Sequence, residues 1–207
     1  MDTRQERKQR TRQALLDAAL QLLEQQSFSS ISLREVTRTA GVVPTAFYRH
    51  FPSMEDLGLA LIGESFRTLR AMLREARAES TLDGHAIRDS VEILVSYVHE
   101  HRHHFRFVAR ERFGGVASLR HAIGAEIRLF SSDLASDLAR VPELGSWRGE
   151  DLQLLSGLIV NLMVHTTEAI LETAPDDRAA QQETASTARR QLRMITLGLA
   201  EWRGAGG

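Results

Sequence analysis

The chain has 207 residues, 43% of them hydrophobic, a formal net charge of −1 and no cysteine. That size and hydrophobicity can bury a core and exclude a disordered polymer. The missing cysteine excludes disulfides, thiolate chemistry and Cys-ligated metals. The leader MDTRQERKQRTRQ lacks the apolar segment of a secretory signal. The apolar-rich run LQLLSGLIVNLMVH (152–165) is interrupted by Ser156 and Asn161 and reads as too short and too polar for a membrane span. The expectation is a cytoplasmic, all-α protein that is not an enzyme.

Leu15, Ala18, Ala19, Leu22 and Leu23 recur at helical spacing and predict a first helix over about 8–25, ended by QSFSS. Ser32 and Glu35 stand three apart as a capping box and open a short helix over about 33–39. Gly41 follows, where a left-handed residue is wanted. Val43-Pro44 then opens another short helix, since Pro suits the first helical turn. One longer helix, a short helix, a Gly turn and a second short helix outline a helix-turn-helix unit.

The stretch FYRHF (47–51) belongs to that last helix. Residues four apart share a helix face, so Phe47 and Phe51 are expected to pack inward against Leu15, Ala19, Leu33 and Val36. Thr45, Tyr48 and Arg49 are displaced to the other side, and His50 lies near the helix end. A hydroxyl, a guanidinium and an imidazole suit a phosphate backbone. Residues 1–51 carry eight basic and five acidic side chains, net +3, which leaves −4 for the remainder. A basic end on an acidic chain points to a polyanion.

Ser53 to Asp56 forms a second capping box and opens a long helix over about 54–77, with Leu57, Leu61, Phe66, Leu69 and Leu73 inward. TLDGH breaks the chain at 81–85, and further helices are predicted over roughly 86–101, 102–112, 117–139, 150–173 and 178–203. Arg102, Arg106 and Arg110 form one line of cations, and Arg67, Arg70, Arg74 and Arg77 another; either could meet phosphates, and either could be a solvated or salt-bridged face. HEHRHH (99–104) places His99 and His103 at a spacing that can ligate a metal, but no carboxylate cluster supports it and no metal site is assigned. The helices at about 150–173 and 178–203 read as the interface of a homodimer, whose two-fold axis would present two recognition helices to a palindromic site.

The run SLREVTRTAGVVPTAFYRHFPSMEDL resembles the DNA-binding region of TetR-family transcriptional repressors, over about residues 8–60. The resemblance implies an N-terminal three-helix DNA-binding domain (1–53) and a helical ligand-binding and dimerisation domain (54–207). It puts Thr45, Tyr48, Arg49 and His50 on the DNA; Arg10 in the basic leader and Ser32 complete the candidate DNA contacts. The family often has Ser where Val43 stands and Gly where Thr45 stands. Val43 cannot accept a side-chain cap bond, and Thr45 offers a methyl and a hydroxyl to a thymine or a phosphate.

With RERFGG (110–115) and QLRMITLGLAEW (191–202), the chain is similar to the FabR and DesT type of repressor, which controls unsaturated fatty-acid synthesis. That resemblance implies long-chain acyl-CoA as effector, with no other cofactor. Leu94, Tyr97, Phe105, Val108, Phe113, Ile123, Phe130, Leu158 and Met163 are the candidate lining of its site, although periodicity alone makes them core. The alternatives are a TetR-type repressor of a drug-like or other apolar effector, a His-based metal sensor, and a helical enzyme or interaction module that does not bind DNA.

Overall fold

The computed structural model describes residues 3–77, 84–199 and 201–202, with side chains at 68, 71–77 and 84–89 left aside. Leu73, Arg74 and Arg77 therefore lie outside the described side chains. In chain order the helices are α1 (Arg4–Leu23), α2 (Leu33–Thr39), α3 (Pro44–Phe47), α4 (Met54–Arg77), α5 (Gly84–Glu100), α6 (Arg102–Glu111), α7 (Ala117–Leu138), α8 (Gly149–Glu172) and α9 (Arg178–Gly198). Short 3-10 turns occur at Phe28–Ser30 and Pro142–Leu144.

Local chemistry sets the boundaries. α1 begins earlier than its apolar periodicity predicts, because Thr3 and Glu6 form a reciprocal capping box: Glu6 N–H donates to Thr3 Oγ1 at 3.2 Å, and Thr3 N–H to Glu6 Oε2 at 2.6 Å. α2 opens on the predicted Ser32–Glu35 box. It closes in a Schellman arrangement, with Gly41 at φ 67°, Gly41 N–H donating to Arg38 O and Val42 N–H donating to Thr37 O. α3 has Pro44 in its first turn and no side-chain cap at Val43. It is four residues long and continues as turns through His50. α9 ends at Gly198, short of the predicted 203.

The chain divides into two compact units, residues 1–68 with 103–124, and residues 69–102 with 125–207. The cut falls elsewhere than the expected boundary at 53/54, because the start of α4, α6 and the start of α7 group with the N-terminal helices. In the first unit the Phe28 ring lies tilted against Phe107, with centroids 6.3 Å apart. Arg110 Nη1 donates to the carbonyls of Leu23 and Gln26 at 3.0 and 2.6 Å. Glu111, 1% exposed, accepts the Phe28 N–H at 2.9 Å. His103 Nδ1 meets Glu24 at 2.8 Å.

In the second unit α5, α8 and α9 pack together. Val91, Ala185, Ala188 and Leu192 are buried there, with Val95, Ile159, Leu162 and Met163 packed against them. A second cluster joins the end of α7 to α8 through Ala135, Leu138, Leu144, Leu152 and Leu155. Leu154 and Leu158 on α8, and Met194 and Leu197 on α9, remain exposed. At 24 residues, with an 18-residue window of mean hydropathy 1.5, α8 is long and apolar enough to cross a membrane by length and composition alone, a test that the core helix of a folded domain also passes; a third of that window is buried inside the protein.

Candidate functional site

The first site is the surface of α3. Phe47 is fully buried and Phe51 is 2% exposed, their centroids 5.7 Å apart; Leu15, Ala19 and Val36 of the predicted packing set are fully buried too. Anchoring those rings turns the intervening residues outward. Tyr48 is 63% exposed, its ring edge-on to Phe47, and Thr45 and Arg49 are exposed. Exposed hydroxyls and a guanidinium on a short helix and the turn that continues it can donate to phosphates or base edges.

His50 lies beside them, half-buried, with Nδ1 sealed from solvent and unpartnered. Burial holds its imidazole below the ordinary value, and the charges of Lys8, Arg12 and Arg49 push it the same way. Burial and the three neighbouring cations thus all favour the neutral ring over the charged one. Arg12 was not singled out by the sequence, yet it ties α1 to this surface. Its Nη1 donates to the His50 carbonyl at 3.4 Å, and its guanidinium carbon lies 4.4 Å from the Phe51 ring centre. A cation–π contact between residues this far apart in sequence leaves no local pattern.

Arg10 is exposed on α1. The Ser32 hydroxyl is committed to its cap, donating to Glu35 Oε2 at 2.7 Å and accepting the Glu35 N–H at 3.3 Å. Those hydrogen bonds from the Ser32 hydroxyl and N–H, with the charge of Arg38, hold the Glu35 carboxyl below its usual range.

The candidate effector residues fall in both units. Leu94, Tyr97 and Phe130 are buried in the second unit and Ile123 in the first; Phe105, Val108 and Met163 are half-buried. Phe113 is 75% exposed, with Arg112 5.1 Å from its ring centre, and Leu158 is 51% exposed. The two cation lines divide by role. Arg102 Nη2 donates to the carbonyls of Leu171 and Thr173 at the end of α8. Arg70 pairs with Glu126 and lies over Phe130. Arg67 and Arg106 are exposed. In HEHRHH, His103 is engaged by Glu24, and no group of three or more His, Asp or Glu among the described residues could hold a metal. His99 Nε2 is buried without a hydrogen-bond partner.

Residues 15–61 match the family model of TetR-type bacterial regulatory proteins, and residues 83–198, more than half the chain, match the tetracyclin repressor-like C-terminal domain. Among solved structures the chain is similar to the fatty acid degradation regulator FadR of Bacillus halodurans, with a TM-score of 0.72 at 16% identity over 93% of this chain and 96% of that one. It is similar to FadR of Bacillus subtilis in complex with stearoyl-CoA, with a TM-score of 0.70 at 14% identity over 90% and 98%. It is similar also to AibR in complex with isovaleryl coenzyme A and operator DNA, with a TM-score of 0.65 at 14% identity over 90% and 97%. At such identities the likeness establishes the fold.

Proposed function

Because the chain belongs to the TetR family of bacterial regulatory proteins, we propose that this transcriptional regulator is a homodimeric repressor that binds a palindromic operator through α3 and senses long-chain acyl-CoA. The observation that carries the DNA half is the division of FYRHF into buried Phe47 and Phe51 and exposed Tyr48 and Arg49. Residues 1–53 hold the DNA-contacting set, with Arg10, Thr45 and His50 beside Tyr48 and Arg49. Ser32 contributes by fixing the start of α2. Residues 54–207 take the effector and dimerise.

Dimerisation is supported by Leu154, Leu158, Met194 and Leu197, an apolar surface that a second copy would cover. The effector reading is supported by two structural neighbours that hold CoA thioesters, FadR of Bacillus subtilis and AibR. Control of fatty-acid desaturation rests on the resemblance to the FabR and DesT type. Burying a methylene contributes about 0.8 kcal/mol, so a chain of about sixteen carbons gains on the order of 10 kcal/mol before ordering costs. A coupling of about 1–3 kcal/mol between chain shape and DNA affinity suffices for regulation.

The test is fluorescence anisotropy on a labelled promoter fragment of a fatty-acid desaturation gene, at fixed salt, with saturated and with cis-unsaturated acyl-CoA. Unequal shifts in affinity are expected. Tight DNA binding indifferent to both ligands would discard the acyl effector and keep the repressor.

A further inference from the structure

α5 presents Val91 and Val95 to the apolar cluster that it forms with α8 and α9. His99 follows Val95 by four residues and so continues that stripe. Three residues on, Arg102 donates to the carbonyls of Leu171 and Thr173 at the end of α8. Two other polar side chains along this packing are satisfied within α8. The hydroxyls of the buried Thr166 and Thr167 donate to the Leu162 and Met163 carbonyls at 2.8 and 2.9 Å. His101, just past the end of α5, lies tilted against the Tyr97 ring with centroids 4.3 Å apart. His99 Nε2 is enclosed with no hydrogen-bond partner, as is Nη1 of the Arg102 guanidinium, whose Nη2 is bonded to the end of α8. Such an atom is costly in a folded interior unless water or a ligand group meets it.

We infer that His99 anchors the effector, its Nε2–H donating to the carbonyl oxygen of a long-chain acyl group whose chain lies against Val91, Val95, Leu162 and Met163. The inference rests on the effector reading above and names the polar contact of that site. An apolar pocket with one placed donor fixes the depth of a flexible chain, which apolar walls alone cannot do. The acyl carbonyl belongs equally to a CoA thioester and to a free fatty acid, so the ligands must separate the two.

The experiment is calorimetric titration of the full-length protein, His99→Leu and His99→Gln with palmitoyl-CoA, oleoyl-CoA and free oleate, below micelle-forming concentrations. Thermal melts without ligand run alongside. One lost buried hydrogen bond predicts affinity about tenfold weaker in His99→Leu. His99→Gln, which keeps a donor, is expected to stay near the parent. The ligand-free melting temperature of His99→Leu is expected to equal or exceed the parent's, because the unpartnered atom is gone. Loss for thioesters and oleate alike assigns the shared carbonyl; loss for thioesters alone assigns the CoA ester. Unchanged affinity in His99→Leu, or a loss tracking a lowered melting temperature in both variants, overturns the inference. A parent protein that binds none of the three ligands fails the effector reading instead.

Discussion

At Gly41 an added methyl would meet nothing within 4 Å, so the demand for glycine there is one of backbone angle, not of space. Its φ of 67° is the left-handed value that ends α2 and aims the chain into α3. Gly41→Ala is expected to cost about 1 kcal/mol and lower the melting temperature by a few degrees. Two residues later, Val43 opens α3 without a cap bond, as its side chain requires. His50 carries a pH signature. Its folded pKa lies below that of an unfolded imidazole, about 6.5. Above that value the ring is neutral in both states and the shift has no effect. As pH falls through it and then through the folded value, the unfolded chain takes the proton first and stability is lost. Urea denaturation at pH of about 7.5 and about 5.5 should therefore show a smaller drop in His50→Gln than in the parent.

Among the elements, the α6 segment shows where local pattern stops being informative. The capping box at Ser32, the side-chain cap at Ser53, Gly41 and Pro44 each announce a helix boundary, because the groups that satisfy a helix end lie within four residues of it. Phe47 and Phe51 were readable as anchors for the same reason of spacing. The tie between α6 and the α1–α2 connection was not. Glu111 reads as a surface residue in sequence, yet it is 1% exposed and takes its partner, the Phe28 N–H, from the far side of the chain. Arg12 and Arg110 likewise bond carbonyls distant in sequence. Phe28 itself is seated by Gly58, where an added Cβ would lie 2.7 Å from its ring and 3.0 Å from Leu119. Gly58→Ala is expected to cost about 1–3 kcal/mol by forcing Phe28 out of place. Operator affinity should fall with it, since Phe28 leads into α2; a denaturation midpoint and a binding isotherm on the same sample check both.

For the whole molecule the open question is the apolar surface on α8 and α9. Apolar residues on nearly all sides of 152–170 marked α8 as buried on both faces, and α9 carries one apolar stripe, but the single chain leaves Leu154, Leu158, Met194 and Leu197 exposed. A second copy accounts for them at the level of proposal. Leu158→Glu with Leu197→Glu is expected to give a monomer by light scattering. Operator binding should weaken at least tenfold, because the two half-sites are then no longer held together. The proposed effector site is the least legible part, since lining and core residues share the same periodicity and only a bound chain would separate them.

The central claim is that α3 reads DNA through its exposed face. The most direct measurement is the salt dependence of binding to an operator selected from random duplexes, for the parent and for Tyr48→Phe with Arg49→Ala. Both side chains are exposed, so the fold should survive, as a melt would verify. The account predicts affinity lower by about tenfold or more and a salt slope shallower by about one, because phosphate contacts release counterions. A folded double variant with the parent's affinity and slope would contradict it.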